Sequence, residues 1–205
     1  MRYTFELLRY ALGLRGPLTA VTAAEAALLA EIAAAAVCAV EVGVYEGASS
    51  RIILDAMPAD GQLFLVDPYF EPVRIERWLG FSGPYWVARR TVAAYSERAR
   101  FVRMTSAEAA AELVLPRLAD LIFIDARHDY ESVAEDVRLW SPHLAAGGTL
   151  AFHDSRVCAA RPELSAQSGP VALVEELVDG AKGDWQLVAA ADSLSVLCRR
   201  TRKER

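Results

Sequence analysis

The sequence predicts an α/β fold with a doubly wound sheet of seven strands, mostly parallel, with helices on both faces and an antiparallel hairpin at the C-terminal end. Three observations predict this fold class. Short, continuously apolar runs alternate with stretches of helix-forming residues, as expected of parallel strands covered on both faces. The chain has 205 residues, 54% of them hydrophobic, which suits one sizeable core. Near the end, two strand-like runs follow each other without room for a helix between them.

Each element has its own signal along the chain. The run FELLRYALGL predicts an N-terminal helix, and TAAEAALLAEIAAAA predicts a second one that opens with a capping box of Thr22 and Glu25. The parallel strands are predicted near VCAVEVG, QLFLVD, RFVRM, DLIFID and TLAFHD. Further helices are predicted over 48–57, 84–96, 106–114, 129–140 and 170–180. The run WQLVAAADSLSVLCRR predicts the hairpin, with its turn at Asp192 and Ser193. We expect an N-terminal helical cap (1–36), the α/β domain (37–200) and a basic tail (201–205).

Composition excludes several classes of protein. A formal net charge of -5 argues against a broad nucleic-acid surface. The three cysteines are too scattered for a disulfide framework or a zinc site, and Cys38 and Cys198 lie in apolar runs typical of buried thiols in a reducing cytoplasm. Glu31 and Glu41 interrupt the most apolar window, which argues against a membrane span, and the first residues make a poor signal peptide. We therefore expect a cytoplasmic protein.

The loop after the first strand has the composition of a ligand-binding turn. Gly43 and Gly47, with Tyr45 between them, would let the backbone approach a ligand closely. Their G-x-x-x-G spacing does not meet the G-x-G-x-x-G pattern of dinucleotide sites, which favours a cofactor without phosphates. Glu41 in the first strand suits a cationic ligand such as an ammonium or a sulfonium. Asp67 ends the second strand, where an acid can accept hydrogen bonds from both ribose hydroxyls of an adenosine ligand.

Charged residues and histidines end the fourth and fifth strands. Asp125 ends the fourth strand and Asp154 the fifth, and neighbouring parallel strands lie roughly 5 Å apart, so the two carboxylates could converge on one magnesium ion. His128 and His153 stand at the same two tips, and either could act as a general base. The alternatives are a surface histidine in the first turn of a helix for His128 and a buried histidine that holds a loop for His153. Asp129 is expected to cap the following helix.

These residues carry a family resemblance. From about Val40 to Leu197 the chain resembles class I S-adenosylmethionine-dependent methyltransferases, which have a Rossmann-like sheet with a terminal hairpin. The run FIDARHDYESVAEDVRLWSPHLAAGGTLAFHDS is similar to small bacterial methyltransferases whose fourth strand ends FIDGxHxYE and whose fifth ends FHD. FIDARHDY also resembles the metal-dependent catechol and caffeoyl-type O-methyltransferases, in which the acid matching Asp125 is a metal ligand. Those families have lysine at the position of His128. They also have asparagine, a further metal ligand, at the position of Ser155, so the third metal ligand and metal dependence itself stay open.

The resemblance implies an enzyme that uses S-adenosylmethionine, with or without Mg²⁺, to methylate a hydroxyl on a small metabolite or natural product. It implies Asp125 and Asp154 as metal ligands, and His128, Asp125 and His153 as catalytic residues. The cofactor-binding residues are then expected to be Glu41, Gly43, Tyr45, Gly47, Ser49, Asp67, Pro68, Thr105, Ser106 and Asp125. Thr105 also begins a capping box, which is a sufficient structural reason for it.

Two segments could shape the acceptor pocket, and three other functions stay open. The segment after the second strand supplies Trp78, Phe81, Tyr85 and Trp86, and residues 155–170 form a long loop of the kind that acts as a lid. The expected partner is a small hydroxylated acceptor, with no nucleic acid and no membrane, and the N-terminal helix could cover the cofactor or build a homodimer. The alternatives are a metal-free N-methyltransferase of the same fold, a nucleotide-cofactor oxidoreductase and a catalytically silent cofactor-binding module. The missing third glycine and the hairpin speak against the oxidoreductase.

Overall fold

The computed structural model describes residues 2–69, 82–179 and 184–200. The helices in these ranges are α1 (Arg2–Ala11), α2 (Ala23–Ala33), α3 (Ala48–Ala56), α4 (Gly83–Thr91), α5 (Ser106–Glu112), α6 (Tyr130–Trp140) and α7 (Gly169–Asp179). The strands are β1 (Cys38–Val42), β2 (Gln62–Val66), β3 (Ala99–Val102), β4 (Ala119–Ile124), β5 (Leu144–Phe152), β6 (Trp185–Ala191) and β7 (Leu194–Arg199). Short 3-10 helices cover Ala93–Tyr95 and Ser141–His143. The basic tail and the aromatic residues Trp78 and Phe81 lie outside the described residues.

The seven strands form one sheet in the order β3-β2-β1-β4-β5-β7-β6. β1 pairs in parallel with β2 and β4, β2 with β3, and β4 with β5, whereas β7 runs antiparallel between β5 and β6. The order reverses direction at β1, so the crevice for a ligand is expected over β1 and its neighbours. The predicted fold class, including the hairpin, is confirmed.

Both faces of the sheet are covered by helices, because successive strand residues enter two separate apolar clusters. One cluster joins Val40, Ile122 and Phe152 to residues of α5, α6 and α7. The other joins Leu65 and Phe123 to residues of α2, α3 and α4. This two-sided burial explains why the strands read as continuous apolar runs rather than as alternating ones.

Two elements differ from their predicted bounds. β5 begins at Leu144 rather than near 149, and its pairing jumps from Ala119↔Leu144 to Leu121↔Thr149. The residues between absorb this irregularity at Gly147, which has a φ of 80°. The helix predicted over 84–96 ends at Thr91, because Val92 leaves the helical region at φ -103° and ψ 15°. Consecutive β-branched residues lower helix propensity at this point.

The N-terminal helices have different surroundings. α2 packs on α3 and buries Leu29 and Ala33 in the core, so it forms part of the helical layer. α1 lies on α4, where Tyr10 meets Trp86 edge-on at 5.8 Å between ring centroids. The predicted boundary of the N-terminal cap at residue 36 stays a prediction. Of the two helices before that boundary, α2 belongs to the helical layer on the sheet and α1 lies outside it. In the described ranges, no helix combines the length and the apolarity needed to cross a membrane.

The cysteines differ in burial, and neither Cys38 nor Cys198 forms a disulfide. Cys38 is fully buried in β1, as predicted, whereas Cys198 on β7 is only partly buried. Both thiols are free, which is consistent with the sequence-based expectation that the cysteines have no structural cross-linking role. The cytoplasmic location itself stays a prediction.

Candidate active site

A cavity of about 710 Å³ opens at the carboxyl ends of β1, β2 and β4. This volume lies in the range of small-molecule and cofactor sites. The predicted site residues that line the cavity are Gly43, Tyr45, Ser49, Asp67, Pro68, Ser106, Asp125 and His128. The residues predicted to bind the cofactor that are not part of its lining are Glu41, Gly47 and Thr105. The fold therefore places residues expected to bind the cofactor and residues expected to be catalytic around one cavity.

The turn after β1 depends on Gly43 for close packing of backbone. Gly43 has a φ of 92°, and a Cβ atom there would lie 2.1 Å from the Asp125 carbonyl oxygen. Gly47, with a φ of 75°, begins α3, and its Cβ would lie 3.3 Å from the Ala88 backbone. Both glycines are thus required by close contacts with the protein's own backbone, and the absence of a side chain at Gly43 lets the β1 turn pack against the end of β4.

Glu41 is oriented differently from the expectation. Its carboxyl group is fully buried and accepts hydrogen bonds from the hydroxyls of Ser49 and Ser50 at the start of α3. Burial raises the pKa of Glu41 to about 8, so the group is mostly protonated at neutral pH. A neutral, enclosed carboxyl does not attract a cationic ligand, and Glu41 instead ties β1 to α3.

Asp67 holds the ligand loop in place. One of its oxygens accepts hydrogen bonds from the backbone N–H groups of Val44 at 3.0 Å and Tyr45 at 3.2 Å, and the other accepts from the Tyr69 N–H at 2.8 Å. A carboxylate offers about four lone-pair positions, so Asp67 keeps acceptor capacity beside these three bonds. It can therefore shape the loop and also receive donors from a ligand in the cavity that it lines.

Thr105 and Ser106, at the N-terminus of α5, have different surroundings. Thr105 caps α5, and its hydroxyl and the Glu108 side chain form the reciprocal bonds of a capping box. Ser106 lines the cavity, donates a hydrogen bond to Asp136 and accepts one from the Trp140 indole at 2.9 Å. The geometry thus supports helix capping as the role of Thr105. Of the two residues, Ser106 is the one that a ligand in the cavity can reach.

The N-terminal segment covers one side of the cavity, and a buried acid helps to hold it there. Glu46 is fully buried and accepts hydrogen bonds from the Tyr3 hydroxyl at 2.9 Å, the Arg15 guanidinium at 2.6 and 2.9 Å, and the Leu18 backbone N–H at 2.6 Å. Tyr3 and the following stretch 18–21 belong to the lining of the cavity. The expectation that the N-terminal region covers the site thus has a structural basis in Glu46, which the sequence did not single out.

At the tips of β4 and β5, two histidines lie between two aspartates. His128 has Nε2 3.7 Å from Asp125 Oδ1 and Nδ1 3.6 Å from Asp154 Oδ2. His153 has Nδ1 3.3 Å from Asp125 Oδ1 and 3.4 Å from Asp154 Oδ1. The predicted convergence of the two aspartates is therefore present. Asp154 also has a φ of 52°, a conformation that non-glycine residues rarely adopt outside functional or strongly constrained sites.

His153 is a buried cation rather than a base. Its Nε2 lies 3.2 Å from the fully buried carboxylate of Glu25, so three acids surround one nearly inaccessible ring. Although burial favours the neutral ring, the neighbouring carboxylates of Asp125 and Asp154 raise its pKa to about 10. An imidazolium at neutral pH cannot accept a proton, which corrects the expectation that His153 could be the base. The alternative interpretation, a buried histidine that holds the loop, agrees with the geometry.

His128 differs from His153 because its side chain is about half exposed and lines the cavity. The neighbouring Asp125 carboxylate raises the pKa of His128 above the ordinary histidine value. The following residue, Asp129, accepts a hydrogen bond from the Ser132 N–H at 3.0 Å and caps α6 as predicted. His128 is thus the histidine of this pair that a ligand can reach.

The donor set at these tips does not fit a magnesium ion. The Arg161 guanidinium lies on Asp154, with Nη2 donating to Oδ2 at 2.7 Å and Nη1 2.7 Å from Oδ1. Both oxygens of Asp154 therefore face cationic groups, and Asp125 faces both histidines. Within the described ranges, no group of three or more His, Cys, Asp or Glu side chains is arranged to hold a metal ion. The expectation that Asp125 and Asp154 are metal ligands is not supported by this arrangement.

Two residues of this cluster were missed in the sequence. Glu25 shows only its capping signal there, yet one carboxyl group caps α2 and also accepts from the Ser193 hydroxyl at 2.6 Å and contacts His153. Arg161 lies in a loop that the sequence marks only by its length. Among the aromatic residues expected near the acceptor, Tyr85 packs against Tyr69, with ring centroids 5.0 Å apart and the rings tilted by 53°.

Comparisons with known proteins agree with this architecture. Residues 40–155 match a family model described as a methyltransferase domain. Among solved structures, cofactor-bound Rv0187 from MTB has a TM-score of 0.70 and 17% identity, covering 98% of this chain and 90% of that one. The O-methyltransferase TomG from Streptomyces achromogenes, in complex with SAM, has a TM-score of 0.62 and 17% identity over 88% and 82% of the chains. The N-methyltransferase NodS from Bradyrhizobium japonicum WM9 has a TM-score of 0.55 and 16% identity over 86% and 94%.

At these identities the solved structures establish the fold alone, and no curated protein matches the chain. The family model covers more than half of the sequence, from the second half of β1 to the residue after Asp154. It thus includes the β1 turn, the end of β2 and both acidic strand tips. The chain belongs to the family of S-adenosylmethionine-dependent methyltransferase domains of class I.

Proposed function

We propose that this methyltransferase transfers a methyl group to a hydroxyl of a small molecule, with His128 as the proton acceptor. One observation carries the proposal: His128 and Asp125 line the same cavity as Gly43 and Asp67. The end formed by β1 and β2 suits an adenosine ligand, and the end formed by β4 holds the titratable groups. S-adenosylmethionine, when bound, supplies an electrophilic methyl group on a sulfonium.

The residues of the cavity would divide the work of binding. Asp67 would receive the ribose hydroxyls, since its carboxylate lines the cavity and keeps acceptor capacity beside its backbone bonds. Ser106 would lie near the base, and the exposed Tyr45 ring and the 18–21 stretch would limit the access of water. Positioning and desolvation of this kind contribute most to a transfer from so good a leaving group.

A hydroxyl acceptor makes use of His128. An alcohol or phenol must lose its proton as it attacks, and an exposed imidazole held by a carboxylate is a suitable general base. Asp125 orients the ring at 3.7 Å and raises its pKa, which strengthens it as a proton acceptor. The neighbouring His153 remains protonated and so cannot compete for this role. The similarity to the O-methyltransferase TomG is consistent with the proposal.

The proposal is tested by measuring S-adenosylhomocysteine formation with paired acceptors. Each pair has the same small aromatic scaffold with either a hydroxyl or an amine at the acceptor position. We expect turnover with members of the hydroxyl series and little with their amine partners. Turnover confined to the amines would contradict the hydroxyl assignment and favour the N-methyltransferase alternative, for which NodS is a structural precedent.

A further inference from the structure

Arg161 pairs with Asp154, one of the two aspartates at the strand tips. It lies in the loop between β5 and α7, and its side chain is only 16% exposed. Its guanidinium contacts both oxygens of Asp154 at 2.7 Å, while Nε donates to Glu163 at 2.6 Å. The hydrogen bond from Nη2 to Asp154 joins two charged groups, and hydrogen bonds of this kind are roughly twice as strong as those between neutral groups.

Each carboxylate at these tips lies beside a cationic side chain of the protein. Asp154, with a side chain only 2% exposed, has Arg161 on one side and His153 on the other. His153 also faces Glu25 at 3.2 Å and Asp125 at 3.3 Å. Buried carboxylates are stable when they are paired and hydrogen-bonded, and here each has a cationic neighbour without an added ion.

We propose that Arg161 takes the place of a divalent cation in this enzyme, as a positioning residue that holds Asp154 and, through His153, Asp125. The acid that orients His128 is then fixed by side chains of the protein instead of by a metal. Because Arg161 belongs to the 155–168 loop, the same contact fastens that loop over the strand tips. The inference rests on the proposed function only where methyl transfer is measured. Metal binding is measured without a methyl acceptor and does not depend on it.

The first test is direct binding of Mn²⁺, followed by electron paramagnetic resonance, to the whole protein with S-adenosylhomocysteine added. We expect no saturable site in the wild type. The variant R161Q frees the Asp154 carboxylate and should gain a site, and the double variant R161Q/D154N should lose it again. Stoichiometric Mn²⁺ binding to the wild type that D154N abolishes would overturn the inference, as would a wild-type activity that chelation removes and Mg²⁺ restores.

The second test separates positioning from a purely structural role. We expect R161A to lower kcat at least tenfold with little change in KM for the cofactor, and added guanidinium ion to restore part of kcat. R161K, which keeps the charge, should retain more activity than R161A. R156A, a change at an exposed arginine of the same loop, is the matched control and should leave kcat unchanged. The inference fails if R161A keeps wild-type kcat, or if it is folded but neither guanidinium nor the lysine variant restores activity.

A third measurement keeps this test decisive if R161A is less stable. Cofactor binding by R161A and R161K is measured by calorimetry with S-adenosylhomocysteine, alongside their thermal unfolding. Folded variants that bind the cofactor normally but turn over slowly support the inference. Failure of the wild type itself to bind S-adenosylhomocysteine would contradict the proposed function and leave the metal-binding result to stand by itself.

Discussion

His128 and His153 contact the same two aspartates, yet their surroundings give them opposite properties. Although burial favours its neutral ring, Asp125 and Asp154 raise the pKa of His153 to about 10, whereas His128 is half exposed and borders the cavity. His153 is therefore the protonated member of the pair, and His128 is the member that a ligand in the cavity can reach. The difference lies in distance and exposure: Nδ1 of the buried His153 ring lies 3.3 Å from Asp125 and 3.4 Å from Asp154, whereas the nitrogens of His128 lie 3.7 and 3.6 Å from them.

The first residue-scale prediction concerns the variant H128Q. We expect it to bind S-adenosylhomocysteine like the wild type but to lose activity by about 10²-fold or more, the usual contribution of a general base. In the wild type, kcat should rise with pH, with a midpoint above 6.5 because Asp125 raises the pKa of His128. Initial rates over a pH series test both statements. H143Q, at a histidine stacked on Trp140, is the control; equal rates and equal pH profiles for H128Q and the wild type would refute the assignment.

The second residue-scale prediction concerns Glu41. Its pKa in the folded protein is raised from 4.5 to about 8, so the unfolded chain ionises first as the pH rises. Glu41 therefore costs the fold nothing below pH 4.5 and progressively more up to about pH 8. We expect E41Q to gain stability relative to the wild type between pH 5 and pH 8, by roughly 3 kcal/mol. Denaturant unfolding at the two pH values measures the gain, with E112Q, at an exposed glutamate, as control. A stability difference that does not change with pH would contradict the buried, protonated state.

At the residue scale, the sequence predicts which strand ends bring titratable side chains together, but not which further residues pair with those side chains. FIDARHDY and FHDS were enough to predict that Asp125, His128 and Asp154 meet, because neighbouring strand ends share one sheet edge. The partner of His153 is 128 residues away in the chain, so no local pattern could reveal it. The side on which Glu41 is buried also depends on where α3 packs, which the glycine-rich turn leaves undetermined.

At the element scale, the turn after β1 shows why a glycine signal is ambiguous. Glycines there predicted a close approach of the backbone to a ligand, and Gly43 does line the cavity. The nearest atom to its missing side chain, however, is the carbonyl oxygen of Asp125 at the end of β4. The parallel strands and the terminal hairpin were accessible from the alternation of runs, whereas the long β5 and its register shift depend on pairing that a single strand does not encode.

The element-scale prediction is that G43A separates the tips of β1 and β4. A Cβ at 2.1 Å from a backbone oxygen forces one strand end to move, and the φ of 92° adds strain. We expect a loss of several kcal/mol in stability and of cofactor affinity together. G147A is a matched control, with a similar φ of 80° and open space around the added atom, so it should cost only about 1–2 kcal/mol. Similar losses in the two variants would show that backbone strain, not the contact with β4, is what matters at Gly43.

At the scale of the whole molecule, the N-terminal segment is a wall of the cavity rather than an appendage. It is fastened to the β1 turn by Glu46, which pairs with Arg15 at 2.6 Å with only 8% of the arginine side chain exposed. Phe5 and Leu8 on α1 and Leu12 just after it are each more than half accessible. The expected homodimer and the cytoplasmic location stay predictions.

The whole-molecule prediction is that E46Q loosens the segment and the site together. Removing the charge leaves Arg15 poorly paired in a nearly buried position, which costs about 3 kcal/mol in comparable cases. We expect faster amide hydrogen exchange over 2–21, unchanged protection in β1 and β4, and about tenfold weaker binding of S-adenosylhomocysteine. E135Q, which removes an exposed pair with Arg138, should change neither. Unaltered exchange over 2–21 in E46Q would show that Glu46 is not the fastening point.

The central claim is that the cavity over β1, β2 and β4 binds the methyl donor, and calorimetric titration with S-adenosylhomocysteine tests it most directly. We expect one site per chain, no comparable heat with NAD, and at least tenfold weaker binding in D67N, because asparagine offers a single acceptor oxygen where Asp67 offers two. Absence of binding by the wild type, or binding of NAD in preference to S-adenosylhomocysteine, would contradict the account.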